Sequence, residues 1–509
     1  MQYKWRALVV VTLGSLMGAI DGTVLILAFP EIARELSANL VDMVWVIMVY
    51  ILMGTALVLS LGRLSDLKGR KRLFNVGLLV FTLGSALCGL AASGFELVLF
   101  RGVQGIGGAM LVANSFAILS DAFPPNERGR AFGLNTIVWG TGAVSGVLLG
   151  GLILTVASWR WIFWINVPIG VLGSVLAYLV LRESVTTNPR ETFDFPAAVL
   201  FTGGLAALLL GVTEGIVEGW GTWSALLPLG SALPLLVGFV AWEWKVSRDP
   251  ILPFSMFRSW LFSASLASSI LQGIALFATN FLLMVYFQGL EGLPVLTAAY
   301  VLAPLSIALA VVGPIGGRLS DRYGARVLST AGLLLQAVGL LLLSTLSRTT
   351  PLVWIAAYEG ILGIGAGLFF PANSSAIMGG VPRQRYGVAA GVMMTLRNSS
   401  MALSFVLALL ALTSGLPAGV GAALLGGAFT PQLVHQLGLT ATQLDGSFLN
   451  GLHVAFRASA LLVLAAAAFS ALRGREVRGG EFLPHRRTVR AAGRRWVPEV
   501  AGPAYLGGD

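Results

Sequence analysis

The sequence predicts an all-α polytopic membrane protein of about fourteen transmembrane helices, arranged as two six-helix bundles with an inserted helix pair between them. Three observations predict it. The 509 residues are 56% hydrophobic and 11% charged, with a mean hydropathy of +0.84. A soluble domain carries about 25% charged residues, so this chain lacks the polar surface to face water, and lipid is its main solvent. Apolar stretches long enough to cross a bilayer recur along most of its length. The pentapeptide Gly-Arg-Leu-Ser-Asp occurs at 62–66 and again at 317–321.

In order, the apolar stretches cover 7–28, 43–61, 73–92, 97–120, 131–156, 162–181, 196–213, 223–242, 261–283, 297–317, 327–346, 352–378, 387–412 and 452–472. Lys4 and Arg6 precede the first, as in a signal peptide, but it is long enough to span and no small-residue cleavage site follows. It reads as an uncleaved first helix. The Gly/Ala-rich segment 413–430, which contains Pro417, reads as a long outer loop. Lys and Arg crowd alternate connections, among them Arg63, Lys68, Arg70, Lys71, Arg72, Arg128, Arg130, Arg318, Arg322 and Arg326, whereas the opposite connections hold Arg34, Arg160 and Arg348. The positive-inside rule places both termini in the cytoplasm. The net charge of +10 is thereby topological, which removes the case for nucleic acid. The basic tail 473–509 lies beside a membrane helix, where it would attract anionic lipid; a disordered positive-inside tail is the plainer reading.

Residues 62–73 read GRLSDLKGRKRL and 317–328 read GRLSDRYGARVL, with Gly69 matching Gly324. A second echo pairs Gly102, Gly105, Ile106 and Gly107 with Gly360, Gly363, Ile364 and Gly365. Parallel repeats of this kind predict two bundles related by an axis along the membrane normal, with substrate between them near mid-depth. The predicted divisions are 1–182 for the first bundle, 183–258 for the inserted pair, 259–472 for the second bundle and 473–509 for the tail.

These motifs resemble the major facilitator superfamily, and specifically its fourteen-helix drug:proton antiporter branch. GRLSDLKGRKR resembles the superfamily's loop 2–3 signature, and LFRGVQGIGGAML at 99–111 its helix 4 signature. IDGTVLILAFPEI at 20–32 and SWRWIFWINVPIG at 158–170 are similar to that branch's helix 1 motif and to the segment leading into helix 6. One departure stands out: Gly142, Gly146, Gly150 and Gly151 fit the helix 5 antiporter signature, but Val147 replaces its proline. The resemblance implies multidrug efflux by proton antiport.

An ionisable group at the centre of a span costs about 2.5–3.5 kcal/mol on insertion scales, so those present are functional candidates. Asp21 lies fifteen residues beyond Arg6, roughly 22 Å up the first helix, and Arg101 twenty residues before Asp121, roughly 30 Å from the inner end. Both fall in the outer half. A carboxylate beside a movable cation has a proton affinity that changes with access state, which is what proton coupling needs; a static ion pair is the alternative. Glu359, at the repeat position of Arg101, is a second candidate for proton coupling or an outer structural carboxylate. Arg397 reads equally as a substrate contact or a structural pair. Trp45, Met48, Gln104, Asn114, Gln272, Asn280, Tyr286, Met393 and Arg397 are the candidate cavity lining, since Met-rich surfaces adapt to varied ligands; each Met or aromatic taken singly reads more readily as packing.

The repeated turn is a candidate gate formed by Gly62, Arg63, Asp66, Gly69, Arg70, Arg130 and Asp321. Asp66 is placed to pair with Arg130, or to meet a helix N-terminus of the other half, where the dipole favours an anion. The basic residues of the first copy predict that Asp66 is the stronger latch and Asp321 the weaker. Gly142, Gly146 and Gly150 share one helical face suited to close packing.

The predicted function is export of lipophilic or cationic small molecules by proton antiport with alternating access, by a bacterial plasma-membrane monomer without metal or cofactor. The alternative is a dedicated exporter of one metabolite, such as a siderophore, peptide or lipid precursor. His435, His453 and His485 have no metal-ligand spacing, and no Gly-Lys-Ser/Thr phosphate loop provides for ATP, which argues against an enzyme or an ATP-driven pump. With one cysteine, Cys88, no intramolecular disulfide forms.

Overall fold

A computed structural model of the chain describes residues 2–474 apart from 39, 185–190, 218, 220, 278, 280, 281, 284, 285, 288–290, 294 and 414–440. The predicted outer loop at 413–430 and nearly all of the basic tail therefore lie outside the described residues, as does Asn280. Helices dominate and no strand occurs among the described residues. They are α1 (Tyr3–Glu35), α2 (Leu40–Lys68), α3 (Arg70–Cys88), α4 (Gly94–Ala122), α5 (Arg128–Val156), α6 (Trp161–Trp164), α7 (Asn166–Val180), α8 (Phe195–Val217), α9 (Trp223–Lys245), α10 (Trp260–Leu276), α11 (Val295–Tyr323), α12 (Ala325–Leu343), α13 (Leu352–Gly379), α14 (Tyr386–Thr413) and α15 (Ala441–Leu472). Among the described residues, eleven helical stretches are long and apolar enough to cross a membrane, with α6 and α7 together forming one of them.

Local chemistry sets many of the boundaries. Ser93 caps α4 by accepting the Glu96 N–H at 3.2 Å, while the Glu96 carboxylate accepts the Ala92 N–H at 2.9 Å, close to the reciprocal arrangement of a capping box. Asp194 caps α8 through the Ala197 N–H at 3.0 Å. The tight turns from α2 to α3 and from α11 to α12 each pass through a left-handed glycine, Gly69 at φ 109° and Gly324 at φ 93°. Only glycine takes that conformation without strain, so the matched glycines of the two repeats have one physical cause.

Several boundaries differ from the sequence prediction. α1, α2 and α11 run on to Glu35, Lys68 and Tyr323, past the predicted ends at 28, 61 and 317, so the repeated Gly-Arg-Leu-Ser-Asp segments are helical and the turns themselves fall at Gly69 and Gly324. The stretch 162–181 is broken after Trp164, with Pro168 in the first turn of α7, where a missing N–H does no harm. α10 is continuous to Leu276, and Thr279, Leu282 and Leu283 of the predicted stretch are again helical; α15 begins at Ala441, well before 452.

The repeats pack alike. α4 lies against α2 and α3, and α13 lies against α11 and α12. A Cβ on Gly105 would meet the Tyr50 carbonyl of α2, and one on Gly107 the backbone of Phe81 on α3. A Cβ on Gly363 would meet the Leu305 carbonyl of α11, and one on Gly365 the Gly332 carbonyl of α12. The second sequence echo thus consists of glycines whose absent side chains let three helices touch at the backbone. Gly107→Ala and Gly365→Ala are each expected to destabilise the fold by about 1–3 kcal/mol through overpacking, read as a lowered thermal midpoint of the detergent-solubilised protein; Gly18→Ala, with nothing within 4 Å of the new atom, is the silent control.

Helices α1–α7 pack on one another, as do α10–α15, and the two sets meet chiefly where α5 touches α11 and α2 touches α14. α8 and α9 pair with each other and reach the rest mainly through α8 against α2. The apolar windows of α8 and α9 are only 22% and 17% buried, so this pair presents most of its surface outward, with Trp223, Leu227, Leu233 and Trp244 exposed.

Candidate functional site

Two constellations are built from these elements, one deep within the spans and one at the end that carries both repeated turns, here called the latch end. In the first, α1 supplies Asp21 and α4 supplies Arg101 and Gln104, all at most 2% exposed. Arg101 Nη1 donates to Asp21 Oδ2 at 2.7 Å, and Arg101 Nε donates to the Val46 carbonyl at 3.2 Å. Gln104 Nε2 donates to Asp21 Oδ1 at 2.9 Å and to Ser85 Oγ at 2.6 Å, while its carbonyl accepts from Arg101. The Arg101 guanidinium also lies over the Tyr50 ring, 4.4 Å from its centroid. Both ends of the Gln104 amide are consumed here, so Gln104 belongs to this network and not to an open cavity lining. Removing either charge would strand the other in a medium that cannot solvate it.

Tyr50 also borders a second feature. With Phe81, Phe116, Gly14, Gly18 and Gly108 it lines a small recess, together with Ser15, Ser115 and Asn135. Asn135 is 2% exposed and its Oδ1 accepts no hydrogen bond among the described residues. The network and the recess thus share the Tyr50 ring. Sequence reasoning missed Tyr50 and Asn135, because neither is ionisable and neither stands out without its neighbours.

On the α10–α15 side, Glu359 is fully buried and neither carboxyl oxygen has a partner among the described residues. Gln272 donates to Gln336 Oε1 at 3.1 Å. Arg397, half-buried, stacks over Phe370 and Phe277 at 5.2 and 5.8 Å, with no ion pair among the described residues. The other predicted lining residues separate. Trp45 and Met48 are half-buried on α2. Asn114 is buried and donates to the Met110 carbonyl of its own helix at 2.7 Å. Tyr286 is buried, with its hydroxyl on the Ser347 carbonyl at 3.2 Å. Met393 is buried in the hydrophobic core. Asn114, Tyr286 and Met393 are thus held in packing or local bonds, while Trp45, Met48 and Arg397 remain half-buried. On α5, Gly142, Gly146 and Gly150 are all buried, and a Cβ on Gly142 would meet Ala19 of α1 at 2.6 Å; Gly151 follows in the same helix.

At the latch end the two repeats form matching contacts. Asp66 accepts the backbone N–H groups of Gly387 and Val388, at the start of α14, at 3.0 and 3.1 Å. Asp321 accepts those of Gly129 and Arg130, at the start of α5, both at 2.9 Å. Each carboxylate therefore sits on a helix N-terminus of the opposite set, where unsatisfied N–H groups and the dipole favour an anion. Backbones close together beside them: a Cβ on Gly62 would strike the Gly387 carbonyl, and one on Gly317 the Gly129 carbonyl. Of the two alternatives the helix N-terminus is the one observed: Asp66 also pairs with Arg70 at 2.9 Å, while the Arg130 guanidinium lies over Trp5 and its backbone N–H donates to Asp321.

Around Asp66 the contacts extend further. Arg70 donates to the Arg383 carbonyl at 2.7 Å and reaches Asp121 at 3.8 Å; Arg383 binds Asp121 in turn. That hydrogen bond raises the Arg383 proton affinity. In the second copy Ala325 stands where Arg70 stands in the first. Arg63, fully buried, donates to Glu191 at 2.8 Å.

An all-helical chain with an internal repeat, buried charges within its spans and outward apolar faces defines a polytopic membrane transporter. Residues 11–405 match the Major Facilitator Superfamily, and the chain belongs to that family, whose members are transporters and not enzymes. It is 32% identical over 403 residues to the riboflavin transporter RibZ of Clostridioides difficile (strain 630), covering 79% of this chain and 87% of RibZ. It is 32% identical over 400 residues to the multidrug resistance protein Stp of Mycobacterium tuberculosis (strain ATCC 25618 / H37Rv), covering 78% and 74%. The human organic anion transporter MFSD10 shares the fold, with a TM-score of 0.62 at 16% identity over 92% of this chain and 99% of that one.

Proposed function

We propose that the chain is a fourteen-span exporter of lipophilic or cationic small molecules, driven by proton antiport and working by alternating access in a bacterial plasma membrane with both termini inside. α1–α7 form one moving bundle and α10–α15 the other; α8 and α9 are the inserted pair. The latch end is the cytoplasmic end, so the conformation described is closed to the cytoplasm. The observation that carries the reading is the buried Asp21–Arg101–Gln104 network, which keeps an exchangeable carboxylate within a span.

Protonating Asp21 removes the partner of Arg101 and releases a guanidinium that is stacked on Tyr50. Tyr50 also lines the recess. Ligand and proton are thereby linked through one side chain. The aromatic lining favours a lipophilic, flat-ringed substrate, and the resemblance to Stp supports drug-type efflux. The similarity to RibZ, a riboflavin transporter, supports the dedicated-substrate part of the second reading, an exporter of one metabolite. Everted vesicles offered ethidium and riboflavin separately distinguish them: drug-type efflux predicts ethidium accumulation that stops when the pH gradient is collapsed, and riboflavin movement alone selects the second reading.

Glu359 is a second proton carrier in this scheme. Its carboxyl oxygens have no partner among the described residues, so no fixed cation competes for them. Glu359→Gln preserves the neutral shape. It is expected to leave ethidium binding within about threefold while reducing the number of protons exchanged per ethidium, measured by pH change in weakly buffered proteoliposomes. An unaltered ratio makes Glu359 structural.

A further inference from the structure

The internal repeat accounts for α1–α7 and α10–α15 but gives α8 and α9 no role. They touch the rest chiefly along α2, where Ser60 and Thr202 hydroxyls meet at 3.2 Å and Thr202 also donates to the Ala56 carbonyl. The segments flanking the pair at the latch end are nevertheless firmly held. Thr192 donates its N–H and hydroxyl to Asp249 Oδ2 at 2.9 and 3.0 Å. Asp194 accepts from Trp242 Nε1 at 3.1 Å and Ser247 Oγ at 2.5 Å, besides capping α8. The Glu243 carboxylate accepts the Ile251 and Leu252 N–H groups at 2.8 and 3.3 Å. Residues 191–194 and 247–252 thus form one knot fixed to the ends of α8 and α9.

Glu191 projects from this knot into the joint between the two repeat sets. One carboxylate oxygen lies 2.8 Å from Arg63 Nη2 on α2 and 3.8 Å from Arg385 Nη2, in the turn that leads into α14. Arg63 is fully buried, and its Nε and Nη1 have no partner among the described residues. Glu191 is its ion-pair partner among the described residues. The same joint brings Arg385 toward Arg63, and burial, with Arg63 repulsion next, lowers the proton affinity of Arg385. Two like charges meet where the sets close, and a carboxylate from a third element sits on both.

We propose that the inserted helix pair is a working part of the gate: Glu191 is the counter-ion that allows Arg63 and Arg385 to come together when the latch end closes. The carboxylate stays anchored to α2 through Arg63 and α8, and its second bond, to Arg385, exists only when α14 is docked. The pair therefore biases the transport cycle toward the closed latch end without touching substrate. This rests on the alternating-access reading above.

The test is the spin-label distance between Lys68→Cys and Tyr323→Cys, exposed positions at the latch ends of α2 and α11, with the buried Cys88 changed to Ser, in the full-length protein in nanodiscs. Asp66→Asn serves as reference and is expected to raise the open-to-closed ratio more than about tenfold. Glu191→Gln is expected to raise it about threefold, the scale of a half-exposed ion pair. Glu191→Lys raises it further, and Glu191→Lys with Arg385→Glu returns it toward wild type, a rescue that a merely structural loop would not give. If Asp66→Asn opens the latch end while both Glu191 variants leave the ratio unchanged, the clamp is wrong and the gate stands. If Asp66→Asn also leaves it unchanged, the gate reading itself is wrong.

Discussion

Asp21→Asn is expected to abolish substrate-linked proton release while the protein still folds and binds ethidium. The isosteric amide keeps one acceptor oxygen, so it preserves the bond from either Arg101 or Gln104, at 2.7 or 2.9 Å in the native pair, while its NH2 group faces the other donor. The charge has no substitute. Removing one member of a buried ion pair costs about 3–5 kcal/mol, or a factor of roughly 150 or more in any equilibrium it controls. That penalty falls on whichever state holds Arg101 buried, so the variant rests in one conformation and cannot exchange a proton to leave it. The measurement is the pH change when ethidium is added to purified protein in weak buffer. Asp21→Glu, which restores a titratable group on a longer stem, is expected to recover part of the signal. Full release from Asp21→Asn would move proton coupling elsewhere and reduce the Asp21–Arg101 pair to a structural bridge.

The second large effect is expected at the latch end. Asp66 is fully buried and accepts from two backbone N–H groups and Arg70. Asparagine keeps an acceptor but loses the charge that the α14 N-terminus and Arg70 both favour. A partly buried charge at a helix terminus contributes up to about 2 kcal/mol, and hydrogen bonds to charged groups about 1.5–3 kcal/mol. Asp66→Asn is therefore expected to destabilise the closed latch end by about 2–3 kcal/mol, seen as increased labelling of single cysteines placed there and as slowed export. Asp321→Asn is expected to have the smaller effect, because Asp321 is only half-buried and Ala325 replaces the arginine of the first copy. Equal effects would remove the predicted asymmetry, since the two carboxylates accept the same number of backbone N–H groups.

The legible parts of the sequence were those governed by one-dimensional constraints. Bilayer thickness imposes span length, so most predicted stretches coincide with helices to within a turn. A left-handed turn imposes glycine, so Gly69 and Gly324 marked the repeat. The cost of a charge in lipid singled out Asp21, Arg101, Glu359 and Arg397; the first three are buried and Arg397 is half-buried. What depends on which helix faces which was not legible. Arg130 lies close to Asp66 in the order of elements, yet the partner of Asp66 is 321 residues away at Gly387. Gln104 read as a polar lining residue because nothing in its own helix reveals that Asp21 and Ser85 converge on it. Glu191 lies in a short polar connection, where a single carboxylate carries no signal until Arg63 and Arg385 are placed beside it. The break at Ile165 was foreshadowed by Pro168, though the span around it is apolar throughout.

Proton-driven exchange is tested most directly by transport in proteoliposomes loaded with ethidium under an imposed pH gradient. The account predicts that ethidium moves against its own gradient while protons move the opposite way, that a protonophore stops both, and that Asp21→Asn does neither. Ethidium transport that continues unchanged after the proton gradient is collapsed, at the same rate in wild type and in Asp21→Asn, would contradict it.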